Sequence, residues 1–296
     1  MHFFQWAHEW AVAPFSEFLF LRRALVAALA LALSSAPLGV WLTLRRMSLV
    51  GDALSHAVLP GVATGFMLFG LSLWAMTLGG LFAGMLVVAL AGLISRTTSL
   101  KEDASLAALY LTSLALGVIL ISRRGTQLDL LHILFGSVLG VDEDGLLLVA
   151  AVSTATVAAM AVMYRALLLE SFDPLFLRAG GKTRKTGAFI QQFFLMLVVI
   201  NLVAGFQTMG TLMAVGMMML PAVSARLWHD TLPAQLCNSA LQAAIAAFTG
   251  LVFSFHSDTP SGPSIILAAA ALYLLSLVFS PRGWLRQAMR RRHLAC

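Results

Sequence analysis

The sequence predicts an all-α protein, a polytopic bundle of eight or nine transmembrane helices with a short helix in one cytoplasmic loop. Three observations lead to this fold class. Of the 296 residues, 60% are hydrophobic and only 11% are charged, whereas soluble domains average about 25% charged residues. Stretches of about 20 or more residues without Lys, Arg, Asp or Glu recur along the chain. The basic residues between these stretches collect on one predicted side of a membrane.

Seven charge-free windows supply the predicted spans, because each is long enough to cross the hydrocarbon core as a helix. They cover residues 24–44, 53–95, 104–122, 145–164, 186–225, 231–257 and 259–281. The second and fifth windows have room for two spans each, which gives nine spans. We expect Gly70 with Ser72 to divide the second window, and Gly205 with Gly210 to divide the fifth.

The distribution of basic residues sets the orientation of these spans. Residues 282–296 follow the last window and contain five arginines, so the positive-inside rule predicts a basic cytoplasmic tail. Counting nine spans back from this tail puts fifteen of the nineteen Lys and Arg residues on the inner side. The N-terminus is then outside; a different number of spans changes only the side on which the N-terminus lies.

We expect one transmembrane domain over residues 1–296, since the sequence has no linker, low-complexity tract or clear repeat. Residues 1–20 contain Trp6 and Trp10 and suit an interfacial segment. They lack the early positive charge of a cleaved signal peptide. The cysteines Cys237 and Cys296 match neither a disulfide framework nor a CxxC metal site.

An acid and an imidazole stand four residues apart at the start of the second window, as Asp52 and His56. This spacing projects both side chains from one face of a helix. Ionisable groups at a membrane span often mark an ion path or a ligand site, and a carboxylate with a neutral imidazole can bind a divalent metal. From these two residues alone a structural alternative is favoured, in which Asp52 caps the helix and His56 bonds to a neighbouring segment. If the helix is broken here, the pair lies deeper in the membrane.

Two further segments have a structural and a functional interpretation. In the inner loop over residues 165–187, Asp173 can cap a short helix with Pro174 at its first position. That helix is either a docking element for a partner or an ordinary connector. Residues 210–221 combine glycines, four methionines and Pro221 within one span, which suits either helix packing or a deformable wall.

The remaining histidine candidates are weaker. His132 is expected to be a packed or interfacial residue. His256 and Asp258 face the outer solution in the predicted topology, where simple solvation competes with a role at the entrance for metal or for a delivering protein. Enzyme motifs are missing: Gly181-Lys182-Thr183 lacks the first glycine of a P-loop, and the chain has no H-E-x-x-H or G-x-S-x-G.

Five segments of the chain, in order, resemble the membrane permeases of ATP-binding-cassette importers for zinc, manganese and iron. The first, RRMSLVGDALSHAVLPGVA, covers residues 45–63 and contains both Asp52 and His56. The others are DLLHILFGSVLGV (129–141), SFDPLFLRAGG (171–181), GTLMAVGMMMLPAVSARLW (210–228) and DTPSGPSIIL (258–267). Because the matches spread over most of the chain, the resemblance is specific.

The resemblance implies a homodimeric permease in the bacterial inner membrane, with two cytoplasmic ATPase subunits and an extracytoplasmic metal-binding protein as partners. No permanently bound cofactor is expected. The basic residues follow an apolar run, which favours a membrane protein over a nucleic acid partner, and the missing P-loop glycine argues against an ATPase site in this chain. Asp52 and His56 match the family's metal ligands. The matching coupling helix comprises Phe172, Asp173, Pro174, Leu175, Gly180 and Gly181. The matching pore-lining residues are Met213, Met217 and Pro221. A family tendency toward eight spans leaves the number of spans open.

Alternative functions remain at this point. A permease for a larger solute, such as a metal chelate or a vitamin, would use the same machinery with a roomier path. An ion-driven secondary carrier would need no ATPase, but such carriers often show two inverted halves, and no second half is visible. A purely structural membrane subunit is the third alternative. Zinc, manganese and ferrous iron all suit one carboxylate and one imidazole, and we favour zinc slightly.

Overall fold

The computed structural model describes residue 10 and residues 12–70, 72–99, 102–122, 140–172 and 184–284. Over these ranges the chain forms eleven α-helices and no strand. In chain order they are α1 Ala13–Glu17, α2 Leu19–Leu44, α3 Val50–Ala57, α4 Leu59–Phe69, α5 Leu73–Thr97, α6 Glu102–Ser122, α7 Glu143–Phe172, α8 Arg184–Met209, α9 Thr211–Trp228, α10 Leu232–Ser257 and α11 Ser261–Phe279.

Nine segments of the described chain are long and apolar enough to cross a membrane. The short helices α3 and α4 together form one of them, Val50–Phe69, and the other eight are α2 and α5 to α11. Each predicted window overlaps one such segment, except that the windows 53–95 and 186–225 each hold two. The prediction of an all-α, multi-pass transmembrane bundle is confirmed.

Two glycines with positive φ separate the paired spans. Gly70 follows α4 with φ 69°, and Gly210 precedes α9 with φ 91°. Both values lie in a region that L side chains rarely adopt, so glycine fits these turns. Gly205, which we expected to share the second turn, instead lies inside α8. A Cβ there would meet Ala214 at 2.9 Å, so Gly205 serves close packing between α8 and α9.

Contacts between distant segments define the two ends of the bundle. At one end Phe18, just before α2, packs on Phe255 of α10 at a ring distance of 5.6 Å. The same end holds the ion pair between Arg23 and Glu143. At the other end Arg226 of α9 donates to the Thr43 carbonyl at 3.5 Å. The basic residues at that second end fit the predicted cytoplasmic side.

Two apolar clusters form the core. One joins the C-terminal half of α2 to α3, α4 and α8, and contains the fully buried Trp41 and Phe194. The other joins the N-terminal half of α2 to α9, α10 and α11. A buried polar contact links three helices between them: Asn201 Nδ2 donates to Ser34 Oγ at 2.7 Å, and Ser34 Oγ donates to Ser153 Oγ at 3.1 Å. Such contacts between spans add modest stability and fix helix register.

Small residues let α4 and α5 approach unusually closely. A Cβ on Gly61 would lie 1.9 Å from the Gly79 carbonyl oxygen, and a Cβ on Gly79 would lie 2.2 Å from that of Gly61. No other residue type fits at this crossing without moving a backbone. The crossing holds α4 firmly in place directly after α3.

Three predicted features lie outside the described residues. They are the short coupling helix within residues 173–181, most of the basic tail after Trp284, and the first nine residues of the interfacial segment. The treatment of residues 1–296 as one domain therefore stays a prediction.

Candidate functional site

Asp52 and His56 lie on α3, one helical turn apart. The distance from Asp52 Oδ1 to His56 Nε2 is 3.8 Å. The Asp52 side chain is 64% exposed and the His56 side chain 28%. His56 Nδ1 is buried and has no hydrogen-bond partner. The structure thus places both predicted ligands on one face, as their spacing requires.

The helix that carries this pair is interrupted one residue later. Pro60 stands at the start of α4, and because proline has no N–H it cannot bond back to the His56 carbonyl. Gly61 N–H donates to the Val58 carbonyl at 3.1 Å and not to Ala57. The Ala57 carbonyl instead accepts from Ser113 Oγ of α6 at 2.8 Å. The break that we considered from the sequence is present, and α6 supplies the missing donor.

A cavity of about 270 Å³ opens beside Asp52. One wall is the turn between α2 and α3 with the start of α3, and the other wall is the first half of α6. The lining residues are Arg46, Met47, Ser48, Leu49, Val50, Asp52, Ala53, Asp103, Leu106, Ala107 and Tyr110. Asp52 therefore lines a space that is large enough for water molecules, at the end of the bundle that we predict to be cytoplasmic.

The donors present in one chain do not complete a metal site. Among the described residues no group of three or more His, Cys, Asp or Glu side chains is close enough to hold a metal ion. Asp52 and His56 offer one carboxylate and one ring nitrogen, and transition metals take four to six ligands. Water or a second copy of the chain must supply the rest if a metal binds here.

Comparison with known proteins identifies the family. The model of the ABC 3 transport family matches residues 17–280. The chain belongs to the ABC 3 transport family. This membership confirms the resemblance to ATP-binding-cassette permeases and argues against the ion-driven carrier. It also identifies the chain as a multi-pass bacterial membrane protein.

Individual relatives cover almost the whole ABC 3 chain. The manganese transport system membrane protein MntC of Halalkalibacterium halodurans is 36% identical over 90% of this chain and 89% of its own length. A Haemophilus influenzae protein named for iron transport is 29% identical over 92% of this chain and 97% of its own. The structure of PsaBC from Streptococcus pneumoniae in complex with Fab is 32% identical, with a TM-score of 0.80. That similarity covers 94% of this chain and 98% of the PsaBC chain.

The methionine-rich helix α9 of this ABC 3 chain touches α3 through Met218 and Met219, and the pore-lining role of Met213, Met217 and Pro221 stays a prediction. Met213, Met217 and Pro221 are buried in the core of the single chain. A Cβ on Gly51 would instead lie 2.9 Å from Met219 Cε and 3.6 Å from Met218 Sδ. Flexible thioethers therefore form the surface on which α3 rests.

The two outer candidates lie at the end of the bundle opposite Asp52. His256 is exposed, stacks on Trp10 with ring centroids 4.4 Å apart, and places Nδ1 2.9 Å from the Val252 carbonyl oxygen. Asp258 follows α10 with a left-handed φ of 49°. That this end faces the outer solution, and that the two residues serve as an entrance, stay predictions.

Of the predicted coupling residues, the structure describes only Phe172, the last residue of α7, which is 61% exposed. The other five, Asp173, Pro174, Leu175, Gly180 and Gly181, lie outside the described residues, as does His132. Next to Phe172, Ser171 Oγ accepts a hydrogen bond from Arg45 Nε at 3.1 Å. This contact ties the end of α7 to the turn before α3.

Three residues near Asp52 carry no motif that singles them out in the sequence. Ser113 donates a hydrogen bond to the Ala57 carbonyl, Met219 packs next to Gly51 of α3, and Asp103 lines the cavity. Pro60 was the available signal for the break, since a proline inside an apolar window interrupts the hydrogen-bond ladder. The roles of the other three depend on contacts between helices.

Proposed function

We propose that this chain is the membrane permease subunit of an ATP-driven importer of divalent transition metal ions, with manganese favoured and ferrous iron as the alternative. One observation carries the proposal: an aspartate and a histidine share one face of a short helix beside a cavity, in a chain of a transport family. ATP hydrolysis belongs to a partner subunit.

Manganese replaces zinc as the favoured cargo. The relatives named above are designated for manganese and for iron transport. The chemistry agrees, because carboxylate and water oxygens suit Mn²⁺, whereas zinc sites that hold the metal tightly use several nitrogen or sulfur donors. One carboxylate from Asp52 and one imidazole from His56 make a weak set of ligands for zinc.

An incomplete set of metal ligands in each chain is suited to transport of the ion. An ion that crosses a membrane must bind well enough to enter and weakly enough to leave. In the proposed homodimer, Asp52 and His56 of each subunit face the common axis, and water completes the shell. The cavity beside Asp52 has a volume of about 270 Å³, which is large enough for a hydrated ion.

The end of α7 offers a route from the ATPase to this site. In the proposal, the ATPase grips residues 172–181 directly after α7. Ser171 bonds to Arg45, and the Arg45 guanidinium also lies 4.9 Å from the centre of the Phe194 ring. Arg45 is five residues before α3, so movement of the α7 end reaches the short helix that carries Asp52. ATP shifts the permease only if the nucleotide-bound ATPase prefers one of its conformations.

Uptake by a reconstituted complex tests the metal role. Proteoliposomes containing this chain, its ATPase and its metal-binding protein are given radiolabelled Mn²⁺ with internal ATP. Asp52→Asn and His56→Ala should each abolish uptake while the complex stays assembled. Asp142→Asn is the matched control, because Asp142 caps α7 at 2.8 Å from the Gly145 N–H and asparagine caps equally well. Full uptake by the Asp52 and His56 variants would remove the proposed metal role.

The coupling role has its own test. Asp173→Ala should leave ATP hydrolysis by the complex in place but separate it from Mn²⁺ uptake, so the number of ATP molecules hydrolysed per ion rises. An unchanged ratio of hydrolysis to uptake would count against docking of the ATPase at residues 172–181.

A further inference from the structure

One face of α6 lies against the break in the span that carries Asp52 and His56. Helix α6 packs on α3, α4 and α5, yet much of its surface is exposed, and Leu111 is 55% exposed. Ser113 and Gly117 are instead buried. Residues four apart share a face of a helix, so these two small residues mark the line along which α6 meets the break.

Gly117 brings the backbone of α6 close to the start of α4. A Cβ on Gly117 would lie 3.1 Å from the Pro60 nitrogen and 3.2 Å from Leu59 Cβ. Both distances are shorter than ordinary van der Waals contact, which begins at 3.4 Å. The absence of a side chain at residue 117 therefore permits the spacing at which the Ser113 hydroxyl reaches the break.

Ser113 differs from many hydroxyl side chains of this bundle because it bonds to another helix. Thr112, Thr154 and Thr249 each donate to a carbonyl four residues earlier in their own helix, at 2.7–2.9 Å. This local bond is common for Ser and Thr within helices. Ser113 Oγ instead donates to the Ala57 carbonyl of α3 at 2.8 Å, and both residues are buried.

The bond from Ser113 acts on the peptide unit beside one of the two metal-ligand candidates. Ala57 directly follows His56, and Asp52 stands one turn earlier on the same eight-residue helix. Past Ala57 the Gly61 N–H donates to the Val58 carbonyl, so the backbone of the span leaves the Ala57 carbonyl to a neighbour. The end of α3 is therefore fixed by α6, where an unbroken span would use its own N–H group.

We infer that Ser113 is a positioning residue for the metal site, with Gly117 setting its distance: its hydrogen bond fixes the direction in which α3 presents Asp52 and His56. This inference rests on the proposed import function. Residues that orient metal ligands from behind typically change metal affinity by about 10–100-fold when they are mutated. Ser113 holds the short helix in this way and supplies no ligand of its own.

A purely structural role for Ser113 predicts a different result. A serine hydroxyl that only satisfies a carbonyl freed by proline stabilises the fold. Its loss then lowers the fraction of folded protein and leaves the metal affinity of each folded molecule unchanged. Loss of positioning instead raises the dissociation constant of the folded molecules. A full binding isotherm separates the two roles, because it gives the number of sites and the dissociation constant independently.

Equilibrium dialysis of the purified complex of permease and ATPase against radiolabelled Mn²⁺ alone measures both quantities. The site is defined as the Mn²⁺ binding that Asp52→Asn removes. We expect Ser113→Ala to raise the dissociation constant of this site about tenfold or more. Ser113→Thr retains a hydroxyl and should bind Mn²⁺ nearly as tightly as the unmodified complex. Thr112→Ala is the matched control, because Thr112 is exposed and its hydroxyl bonds within α6; it should leave the dissociation constant unchanged.

A second variant disturbs the same contact and leaves the hydroxyl in place. Gly117→Ala puts a methyl group against Pro60 and Leu59, which pushes α6 away from the break and lengthens the bond from Ser113. We expect Gly117→Ala to raise the dissociation constant for Mn²⁺ in the same direction as Ser113→Ala, by a smaller factor.

The outcomes separate this inference from the proposed function. A dissociation constant for Ser113→Ala equal to that of Thr112→Ala overturns the positioning role, even if Ser113→Ala has fewer sites or a lower Tm. Equal weakening by Ser113→Ala and Ser113→Thr overturns it too, since the hydroxyl is then not responsible. Mn²⁺ binding that survives both Asp52→Asn and His56→Ala overturns the proposed metal site itself.

Discussion

Substitution of one glycine at the crossing of α4 and α5 should destabilise the protein markedly. In Gly61→Ala the new Cβ would lie 1.9 Å from the Gly79 carbonyl oxygen, whereas ordinary contact begins at 3.4 Å. The two backbones must therefore separate by about 1.5 Å. Overpacking of this kind costs about 1–3 kcal/mol, and here the obstacle is a backbone carbonyl that cannot rotate away.

Thermal unfolding of the purified chain in detergent, followed by tryptophan fluorescence, measures this cost. At about 2–4 °C per kcal/mol for a chain of this size class, Gly61→Ala should lower Tm by roughly 2–12 °C. Leu68→Ala is the matched control on the same helix, because Leu68 is 75% exposed and a change at an exposed position alters stability by about 0.5 kcal/mol or less.

A double-mutant cycle sharpens the test. Gly79→Ala meets the Gly61 carbonyl oxygen at 2.2 Å and should cost about as much as Gly61→Ala. Both changes push the same two backbones apart, so the double variant should cost clearly less than the two single costs together. A Gly61→Ala protein as stable as the Leu68→Ala control, or strictly additive costs, would refute the close crossing.

Three further changes probe other contacts. Ser113→Ala removes the donor to the Ala57 carbonyl and should cost about 1–3 kcal/mol, seen as a lower Tm and slower Mn²⁺ uptake; an unchanged Tm would show that another donor replaces the hydroxyl. Asn201→Leu breaks the buried bond to Ser34 and should cost about 1 kcal/mol in detergent unfolding, and a gain in stability would contradict the contact. Glu143→Gln removes the exposed ion pair with Arg23 and should change stability by less than about 1 kcal/mol, with a smaller difference at high salt.

Much of the fold follows from the sequence because a membrane imposes simple rules. Every span must be apolar over about 20 residues, so the charge-free windows already delimit the helices. Gly70 and Gly210 were recognisable as dividers because only glycine readily takes the positive φ that these turns use. Gly205 was wrongly grouped with them, since a glycine needed for close packing looks the same in a sequence as one needed for a turn.

The candidate site was only partly predictable. The spacing of Asp52 and His56 fixes their common face, because that depends on the helix alone. The cavity with Asp103 depends on how α6 packs against α3, and sequence periodicity carries no information about which spans are neighbours. For the same reason the sequence does not show that Met218 and Met219 are the methionines of α9 that lie against α3.

The interruption after His56 divides one span into two helices that are held in different ways. Helix α4, after the break, is held against α5 by backbone contact between Gly61 and Gly79. Helix α3, before the break, rests on the flexible side chains of Met218 and Met219, and its last residue accepts a hydrogen bond from Ser113 of α6. Asp52 and His56 both lie on α3, so any tilt of that short helix would move them together, without a change in the crossing of α4 and α5.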